Sequence, residues 1–346
     1  MSKPAGVKHV LCLYPFSDEV KAGIRALSPA LDVTFSGPES QATVDALADP
    51  ALDALLANYC PADLKKLPGL TWLGMVGAGV EHLRVADPWS HGVIVTNGSG
   101  LQMSAIGEYT MTALLLGTQK LRGRLENQAK HAWPSAWTED WLGLLGSSLR
   151  NRTMTLVGYG SLGREIARLA SAFGIRVLAI KARPGQRRDA GYSPPGLGDP
   201  EGTIPEAVGG VGEIHAFFAR SDFAVLTLPW TTANDRLIDA AALAALPPHA
   251  VLINVARGKV LDESALFAAL ARGALGGAVL DVAPVEPVPT DSPMWGVPNL
   301  VITPHVSAIN DPQEWWVRVA PLVIENLRRF ADGRELLNAT SGSSGY

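Results

Sequence analysis

The hydrophobic residues of the first hundred positions form short runs that alternate with helical patterns. Helical spacing is seen at residues 18–27 and 62–67. Five β-rich runs bounded by Gly, Pro or Asn lie around them, at residues 9–14, 31–35, 54–59, 70–76 and 93–96. Strands that alternate with helices predict a parallel sheet covered on both faces.

A long helix and a second alternating unit follow. Ser104 is suited to cap a helix, and apolar residues at helical spacing continue to about Lys130. Beyond it the pattern predicts strands at 153–157, 175–180, 223–228, 251–255, 277–282 and 300–303, and helices at 161–173, 239–246, 262–272 and about 312–330. Residues 184–212 are rich in Gly and Pro, which predicts a surface segment without regular structure, here called the excursion. Residues Ala339–Tyr346 are predicted to form a disordered tail.

Length and composition narrow the class of protein. A chain of 346 residues suggests two domains, and 47% hydrophobic residues are ordinary for a globular protein. The net charge of −4 offers no basic face, so we expect no nucleic-acid partner. Two cysteines make no disulfide framework and favour buried thiols in a reducing compartment. Neither a signal peptide nor a membrane span is apparent, so we expect a cytoplasmic protein. We also expect no metal site.

One glycine motif organises the chain. The apolar run at 153–157 leads into Gly158-x-Gly160-x-x-Gly163, and helical spacing follows. A strand, a glycine turn and a helix aim backbone N–H groups and the positive end of the helix dipole at one point, which suits a pyrophosphate. The motif therefore predicts dinucleotide binding. Because a complete α/β unit precedes it, a separate domain must come first.

The residues after the second strand indicate the cofactor. An NAD site usually has a carboxylate there, whereas this chain has Lys181. Arg183 could bind a 2′-phosphate bidentately, with Lys181, Arg187 and Arg188 adding positive charge. We therefore favour NADP(H) over NAD(H), although NAD(H) is possible, and the alternative interpretation is a solvated basic loop.

Charged residues also follow the later strands. Arg257 ends one strand, Asp281 ends the next, Glu286 lies in a Pro-flanked loop and His305 follows the last. Each of them alone could have an ordinary structural role. Together, at the edge of a parallel sheet where ligands bind, they form an acid/base pair and an anion anchor.

These motifs resemble the D-isomer-specific 2-hydroxyacid dehydrogenase family, within it the glyoxylate/hydroxypyruvate reductase-like branch, over about residues 50–330. The resemblance is carried by six linked segments, at residues 74–82, 157–163, 228–232, 254–258, 280–287 and 292–305. It implies an α/β fold of two Rossmann-like, doubly wound parallel-sheet domains with a cleft between them. Residues 1–103 with 306–346 would form the substrate domain, and residues 104–305 the dinucleotide-binding domain.

The family resemblance also implies roles for individual residues. Arg257, Glu286 and His305 would be the catalytic trio, with His305 as acid/base, Glu286 orienting it and Arg257 binding the substrate carboxylate and carbonyl. Asp281 would contact the nicotinamide. Backbone N–H groups of the loop Val76, Gly77, Ala78 and Gly79 would hold the substrate carboxylate, and Gly77-Ala-Gly79 has the form of an anion-binding nest. The cofactor would lie against Gly158, Tyr159, Gly160, Ser161, Leu162, Gly163, Lys181, Arg183, Leu228, Pro229, Val255, Ala256 and Asp281.

The expected activity is NAD(P)-dependent reduction of a small 2-oxo acid, of the glyoxylate or hydroxypyruvate type, to the D-2-hydroxy acid. Two alternatives remain: a nucleotide-sensing, corepressor-like binding protein and a formate dehydrogenase-like enzyme. The helix at 104–130 is a reasonable homodimer surface. Trp133, Trp137 and Trp141 are expected to stabilise a core or an interface, the alternative being a wall that reaches a partner subunit's active site.

Overall fold

The chain forms two α/β units. The computed structural model describes residues 6–189, 191–308 and 311–342. The first unit comprises Met1–Gln102 and Ile309–Tyr346, and the second comprises Met103–Ala308. Among the helices of the described residues, none has both the length and the apolar character needed to cross a bilayer.

The first unit contains a six-stranded sheet. Its strands are β1 (Lys8–Cys12), β2 (Leu31–Phe35), β3 (Leu52–Leu56), β4 (Trp72–Gly74), β5 (Ile94–Thr96) and β13 (Ala339–Thr340), in the order β13-β5-β4-β3-β1-β2. Only β13 is antiparallel to its neighbour. Its helices are α1 (Asp18–Arg25), α2 (Gln41–Asp45) and α10 (Pro312–Asp332). The order 2-1-3-4-5 places a topological switch between β1 and β3, a usual position for a ligand site.

The second unit contains a seven-stranded parallel sheet. Its strands are β6 (Thr153–Val157), β7 (Arg176–Ile180), β8 (Ala207–Gly209), β9 (Phe223–Leu226), β10 (Val251–Asn254), β11 (Gly277–Leu280) and β12 (Leu300–Ile302), in the order β12-β11-β10-β9-β6-β7-β8. Its helices are α3 (Met103–Thr118), α4 (Leu121–Ala129), α5 (Glu139–Gly143), α6 (Ser161–Ala172), α7 (Ile214–Phe218), α8 (Ala240–Ala244) and α9 (Glu263–Ala271). Chain order reverses at the β6/β9 pair, which is the switch point of a doubly wound sheet.

The strands of the second sheet are buried on both faces, which explains their continuous hydrophobic runs. All five residues of β6 are buried. In β7, Leu178 and Ile180 join one hydrophobic cluster, while Val177 and Ala179 join the other. Because successive side chains point to opposite faces of a strand, the sheet separates two cores. The expected α/β fold with two parallel sheets is therefore confirmed.

Several predicted elements differ from the structure. The helix expected over 104–130 is broken: α3 ends at Thr118, and Lys120 has a φ of 50° before α4 begins. The segment 62–67 contains only a short 3-10 helix, Leu64–Lys66. The excursion ends in regular structure, because β8 pairs with β7. Part of the tail is ordered, because β13 pairs with β5.

Both cysteines are buried and unpaired. Burial raises the pKa of the Cys12 thiol and that of the Cys60 thiol to about 12. A thiol must ionise to act as a nucleophile, so neither side chain is suited to thiolate chemistry at neutral pH.

Candidate active site

The glycine motif forms a tight turn between β6 and α6. Gly158 has a φ of +104°, and a Cβ there would lie 2.7 Å from the backbone nitrogen of Leu228. A Cβ on Gly163 would lie 2.4 Å from the carbonyl oxygen of Gly158. A Cβ on Gly160 would meet no atom within 4 Å. Two glycines are therefore required for chain packing, and the third leaves open space beside a helix N-terminus.

That turn fits a dinucleotide. Gly160 is the N-cap of α6, and among the described residues no side-chain hydrogen bond caps this positive end of the helix dipole. Ser161 and Leu162 begin the helix, and its first turn is closed by the Arg164 N–H donating to the carbonyl of Gly160 at 3.0 Å. Backbone donors, a helix N-terminus and free space at Gly160 are what a pyrophosphate requires.

Tyr159 faces away from solvent. The side chain is 3% exposed, and its hydroxyl donates to Asp199 Oδ2 at 2.6 Å. The guanidinium of Arg164 lies over its ring, 4.8 Å from the centroid. Burial and the Asp199 carboxylate raise the pKa of the Tyr159 phenol well above its ordinary value. The side chain of Tyr159 thus ties the glycine turn to the excursion.

Sequence reasoning missed the residues that hold this excursion. Arg164 is 2% exposed, and it donates to the carbonyl oxygens of Asp199 and Arg187. Its neighbour Glu165 is 1% exposed and accepts from the Gly198 N–H at 2.7 Å. Burying two adjacent charges is favourable only when both are bonded. The sequence did offer one indication of these contacts. Two charged residues directly follow Gly163, on the face of α6 that the helical pattern predicts to be buried.

The basic residues after β7 have different partners. Lys181 Nζ donates to the Gln186 carbonyl at 2.6 Å. Arg187 Nη1 donates to the Gly202 carbonyl at 3.1 Å, and Arg188 pairs with Glu201 at 2.7 Å. Burial, and then the charge of Arg164, lower the pKa of Lys181. Arg183 lies exposed in the same loop. A cluster of positive charge therefore lies beyond the carboxyl end of β7.

The segments after β9 and β10 lie along the same edge of the sheet. Leu228, followed by Pro229, is 9% exposed, and Val255 and Ala256 are each 6% exposed. The Ala256 N–H donates to the side chain of Asn254, which is fully buried, at 3.0 Å. These residues supply an apolar, fixed surface next to the glycine turn.

Arg257 extends from this edge. Asn254 Nδ2 donates to the Arg257 carbonyl at 3.0 Å, and Arg257 Nη1 donates to the Ala256 carbonyl at 2.8 Å. A Cβ on Gly258 would lie 2.0 Å from the carbonyl carbon of Ala283. Only glycine allows the chain after Arg257 to pass so close to the segment that leads to Glu286.

His305 and Glu286 are hydrogen-bonded to each other. His305 Nδ1 lies 2.8 Å from Glu286 Oε2, with side-chain exposures of 45% and 36%. Glu286 Oε1 accepts from the Ala283 N–H at 2.8 Å. His305 has a φ of 53°, and its N–H donates to the Asp281 carbonyl at 2.8 Å. Because Nδ1 is engaged by the carboxylate, Nε2 is the ring nitrogen left to exchange a proton with a substrate.

Asp281 anchors the turn that carries His305. Its Oδ1 accepts from Thr303 Oγ1 at 2.6 Å and from the Val306 N–H at 3.0 Å, and its Oδ2 accepts from the Ser307 N–H at 3.0 Å. Thr303 donates its proton to Asp281, so the hydroxyl of Tyr109, 2.6 Å away, must donate to Thr303. The carboxylate, 1% exposed, thus holds the Thr303 side chain before His305 and the backbone after it.

The predicted substrate loop lies in the first unit, after β4. The N–H groups of Val76 and Gly77 donate to Asn58 Oδ1, at 3.2 and 3.1 Å. The Ala78 carbonyl accepts from Asn97 Nδ2 at 2.8 Å, and Gly79 follows it. Asn58, which sequence reasoning also missed, follows β3, and an asparagine after a strand is too common to single out without the contact.

The tryptophans after α4 extend into solvent. Trp133 is 96% exposed and Trp137 is 79% exposed. The rings of Trp137 and Trp141 lie 5.2 Å apart. Trp133 and Trp137 therefore lie outside the core of the chain, and Trp137 packs against Trp141 at its surface.

Comparison with known proteins identifies relatives of this arrangement. The family model for the NAD-binding domain of D-isomer specific 2-hydroxyacid dehydrogenases matches residues 111–307. A glyoxylate reductase of Korarchaeum cryptofilum is 28% identical over 300 residues, covering 86% of this chain and 84% of that protein.

Two crystal structures extend the likeness to nearly the whole chain. One is a D-isomer specific 2-hydroxyacid dehydrogenase family protein from Aeromonas salmonicida, at 30% identity with a TM-score of 0.76, covering 97% of this chain and 99% of that one. Another, a D-isomer specific 2-hydroxyacid dehydrogenase from Xanthobacter autotrophicus in complex with NADPH and MES, is 27% identical with a TM-score of 0.75 and covers 99% of this chain and 100% of that one.

Proposed function

The chain belongs to the D-isomer specific 2-hydroxyacid dehydrogenase family, and from that premise we propose that it reduces a small 2-oxo acid, of the glyoxylate or hydroxypyruvate type, to the D-2-hydroxy acid with NADPH. The observation that carries the proposal is the pairing of His305 with Glu286 at 2.8 Å. It lies at the same sheet edge as Arg257 and the glycine turn. A protein that only senses a nucleotide has no need of an acid/base pair.

We propose that His305 and Glu286 of the second unit carry out the proton transfer of the reaction. NADPH, when bound, would supply a hydride for C2 of the substrate. His305, protonated, donates from Nε2 to the carbonyl oxygen as negative charge grows there. Glu286 keeps the imidazole ring in the orientation that presents Nε2. In the oxidation direction the neutral ring takes the proton back.

Arg257 would bind negative groups of the substrate. A guanidinium can polarise the carbonyl oxygen and contact the carboxylate, which holds C2 in line for the hydride. The backbone N–H groups of residues 76–79 would receive the carboxylate, as expected of a glycine-rich nest. Asp281, which anchors the turn that carries His305, would also contact the nicotinamide.

We propose NADPH as the preferred cofactor. Lys181, Arg183 and Arg187 place positive charge where an NAD site carries a carboxylate. Lys181 and Arg187 are held by backbone carbonyls, so they act as fixed charges, and exposed Arg183 would make the bidentate contact with a 2′-phosphate. The related enzyme from Xanthobacter autotrophicus binds NADPH, which is consistent with this proposal.

A substrate panel tests the function. Glyoxylate, hydroxypyruvate, pyruvate and a bulky 2-oxo acid are each assayed with NADPH and with NADH, following the absorbance of the reduced nicotinamide. We expect turnover of the small 2-oxo acids and a lower KM for NADPH than for NADH. Absence of turnover with every acid would refute the enzyme proposal, and preference for NADH would refute the cofactor proposal.

A matched pair of histidine variants tests the mechanism. His305→Gln should lower kcat by roughly 10²–10⁴-fold, the usual contribution of a general acid, while NADPH affinity is retained. His249 is the control, because its Nε2 also lies close to a carboxylate, 2.9 Å from Asp222. That pair lies at the opposite edge of the sheet, where β9 and β10 begin. Equal effects of both substitutions on kcat would refute the assignment.

We also propose that the chain forms a homodimer through α3, α4 and the segment that follows α4. No residue of α4 is buried within one chain. Leu125 is 53% exposed and Trp133 is 96% exposed, a concentration of apolar surface that monomers rarely leave in water. Light scattering after size-exclusion chromatography should give twice the mass of the chain, and a monomer at micromolar concentration would contradict the proposal.

A further inference from the structure

Asn58, which follows β3, is hydrogen-bonded to the loop that follows β4. Its Oδ1 accepts from two successive backbone N–H groups, those of Val76 and Gly77. Its own carbonyl oxygen lies 3.1 Å from His82 Nε2. The residue therefore connects the end of β3 with both ends of the loop that follows β4.

Glu39 fixes the orientation of Asn58. Glu39 Oε1 accepts from the Asn58 N–H, and Glu39 Oε2 accepts from Asn58 Nδ2 at 3.3 Å. The carboxylate can only accept, so the amide NH₂ must face Glu39 and the amide oxygen must face Val76 and Gly77. Every polar group of Asn58 has a partner, which makes it a fixed acceptor.

Asn58 Oδ1 occupies only some of the backbone N–H donors of the loop. The N–H groups of Val76 and Gly77 are engaged by Asn58, and the Gly77 carbonyl accepts from the Gly98 N–H at 2.9 Å. Among the described residues, none accepts a hydrogen bond from the N–H groups of Ala78 and Gly79. The second half of the loop therefore has donors for an anion, and the first half holds that segment in place.

We propose that Asn58, held by Glu39, is a positioning residue that sets the affinity of the Ala78–Gly79 segment for the substrate carboxylate. The proposal deepens the function above and rests on it. The neutral amide oxygen of an asparagine suits this position better than a charged carboxylate would. An aspartate could accept from the same two N–H groups, but it would repel a carboxylate bound at the neighbouring residues and would also repel Glu39.

Three variants test the proposal with oxamate, an unreactive analogue of a 2-oxo acid, titrated into the protein saturated with NADPH. Asn58→Ala should weaken oxamate binding about tenfold, the equivalent of one lost positioning interaction. Asn58→Asp should weaken it more, because it adds charge repulsion. Gln41→Ala is the control: it removes an exposed amide of the same unit, bonded to the Cys60 carbonyl, and should change nothing. NADPH affinity should be the same in all.

Kinetics and amide exchange distinguish a positioning role from a purely structural one. With a reactive 2-oxo acid, Asn58→Ala should raise KM and leave kcat within about twofold, and the Val76 and Gly77 amides should exchange faster than in the wild type. Unchanged or tighter oxamate binding in Asn58→Ala would overturn the proposal, tighter binding meaning that Asn58 competes with the anion. A wild type that binds oxamate yet reduces no 2-oxo acid would refute the function and leave this test intact.

Discussion

Replacing Asp281 with Asn tests how far the His305 turn depends on one buried carboxylate. The carboxylate accepts three hydrogen bonds, whereas an asparagine offers one oxygen and one NH₂ group. The best rotamer keeps the oxygen towards Thr303 and Val306 and turns the NH₂ towards the Ser307 N–H. Two donors then face each other in a site that is 1% exposed.

The magnitude follows from these contacts. Losing one hydrogen bond to a charged acceptor and leaving a buried donor unsatisfied costs roughly 3 kcal/mol, and removing a buried charge returns part of this. We expect a net loss of about 2–3 kcal/mol. For a unit of this size, that loss lowers Tm by about 4–12 °C. Displacement of His305 by a fraction of an ångström should in addition lower kcat roughly 10–100-fold.

Thermal unfolding and steady-state kinetics measure the two effects. Asp239→Asn is the matched control, because Asp239 caps α8 by accepting from the Ala242 N–H, and asparagine caps a helix equally well. It should leave Tm and kcat unchanged. If Asp281→Asn resembled the control in both, the anchoring role would be wrong. If only NADPH affinity fell, Asp281 would act on the cofactor alone.

Three further predictions concern the cofactor half of the site. Gly160→Ala should keep its Tm and lose NADPH affinity in titrations, because its Cβ meets only open space, whereas Gly163→Ala should lower Tm as well, since its Cβ would lie 2.4 Å from a carbonyl oxygen. Arg183→Ala should raise KM for NADPH at least tenfold and leave KM for NADH unchanged, and equal effects on both would show that Arg183 does not contact the 2′-phosphate. Burial acts to raise the pKa of Asp199, but hydrogen bonds from Tyr159, Ile204 and Thr203 outweigh it and lower the pKa. Ionised Asp199 therefore stabilises the folded state at pH values above its unfolded pKa of about 3.9. The Tm difference between wild type and Asp199→Asn should be largest at pH 7 and should decrease as the pH falls below about 3.9.

Local patterns predicted the strand–turn–helix around the cofactor motif closely. The strand expected at 153–157 is β6, and the helix expected at 161–173 is α6, Ser161–Ala172. Both follow from hydrophobic periodicity and from glycine conformations that depend only on neighbouring residues. The helix at 104–130 failed for the opposite reason. Its break at Lys120 leaves an apolar pattern on both sides, so periodicity alone cannot detect it.

The partners of Asn58 and Asp281 could not be predicted, although the pairing of Glu286 with His305 was expected from the family resemblance. Asn58 contacts Glu39, 19 positions before it, and the loop at Val76, 18 positions after it. Asp281 contacts Ser307, 26 positions away. A sequence shows which residue types a reaction requires, but hydrogen bonds between distant loops depend on how the sheet edges are aligned, and a single chain gives no periodic signal for them.

The buried charges of α6 show why the excursion is held so firmly. Arg164 and Glu165 lie at consecutive positions, and burying either charge without partners would cost several kcal/mol. The excursion supplies Arg164 with two backbone carbonyls, whereas Glu165 pairs with Arg168 of the same helix at 2.6 Å and also accepts from the Gly198 N–H of the excursion. Detaching the excursion would remove the carbonyl partners from Arg164, the Gly198 N–H from Glu165 and the Asp199 carboxylate from Tyr159. The segment is therefore coupled to the glycine turn itself, so a substitution such as Asp199→Asn should also weaken NADPH binding, although Asp199 need not contact the cofactor.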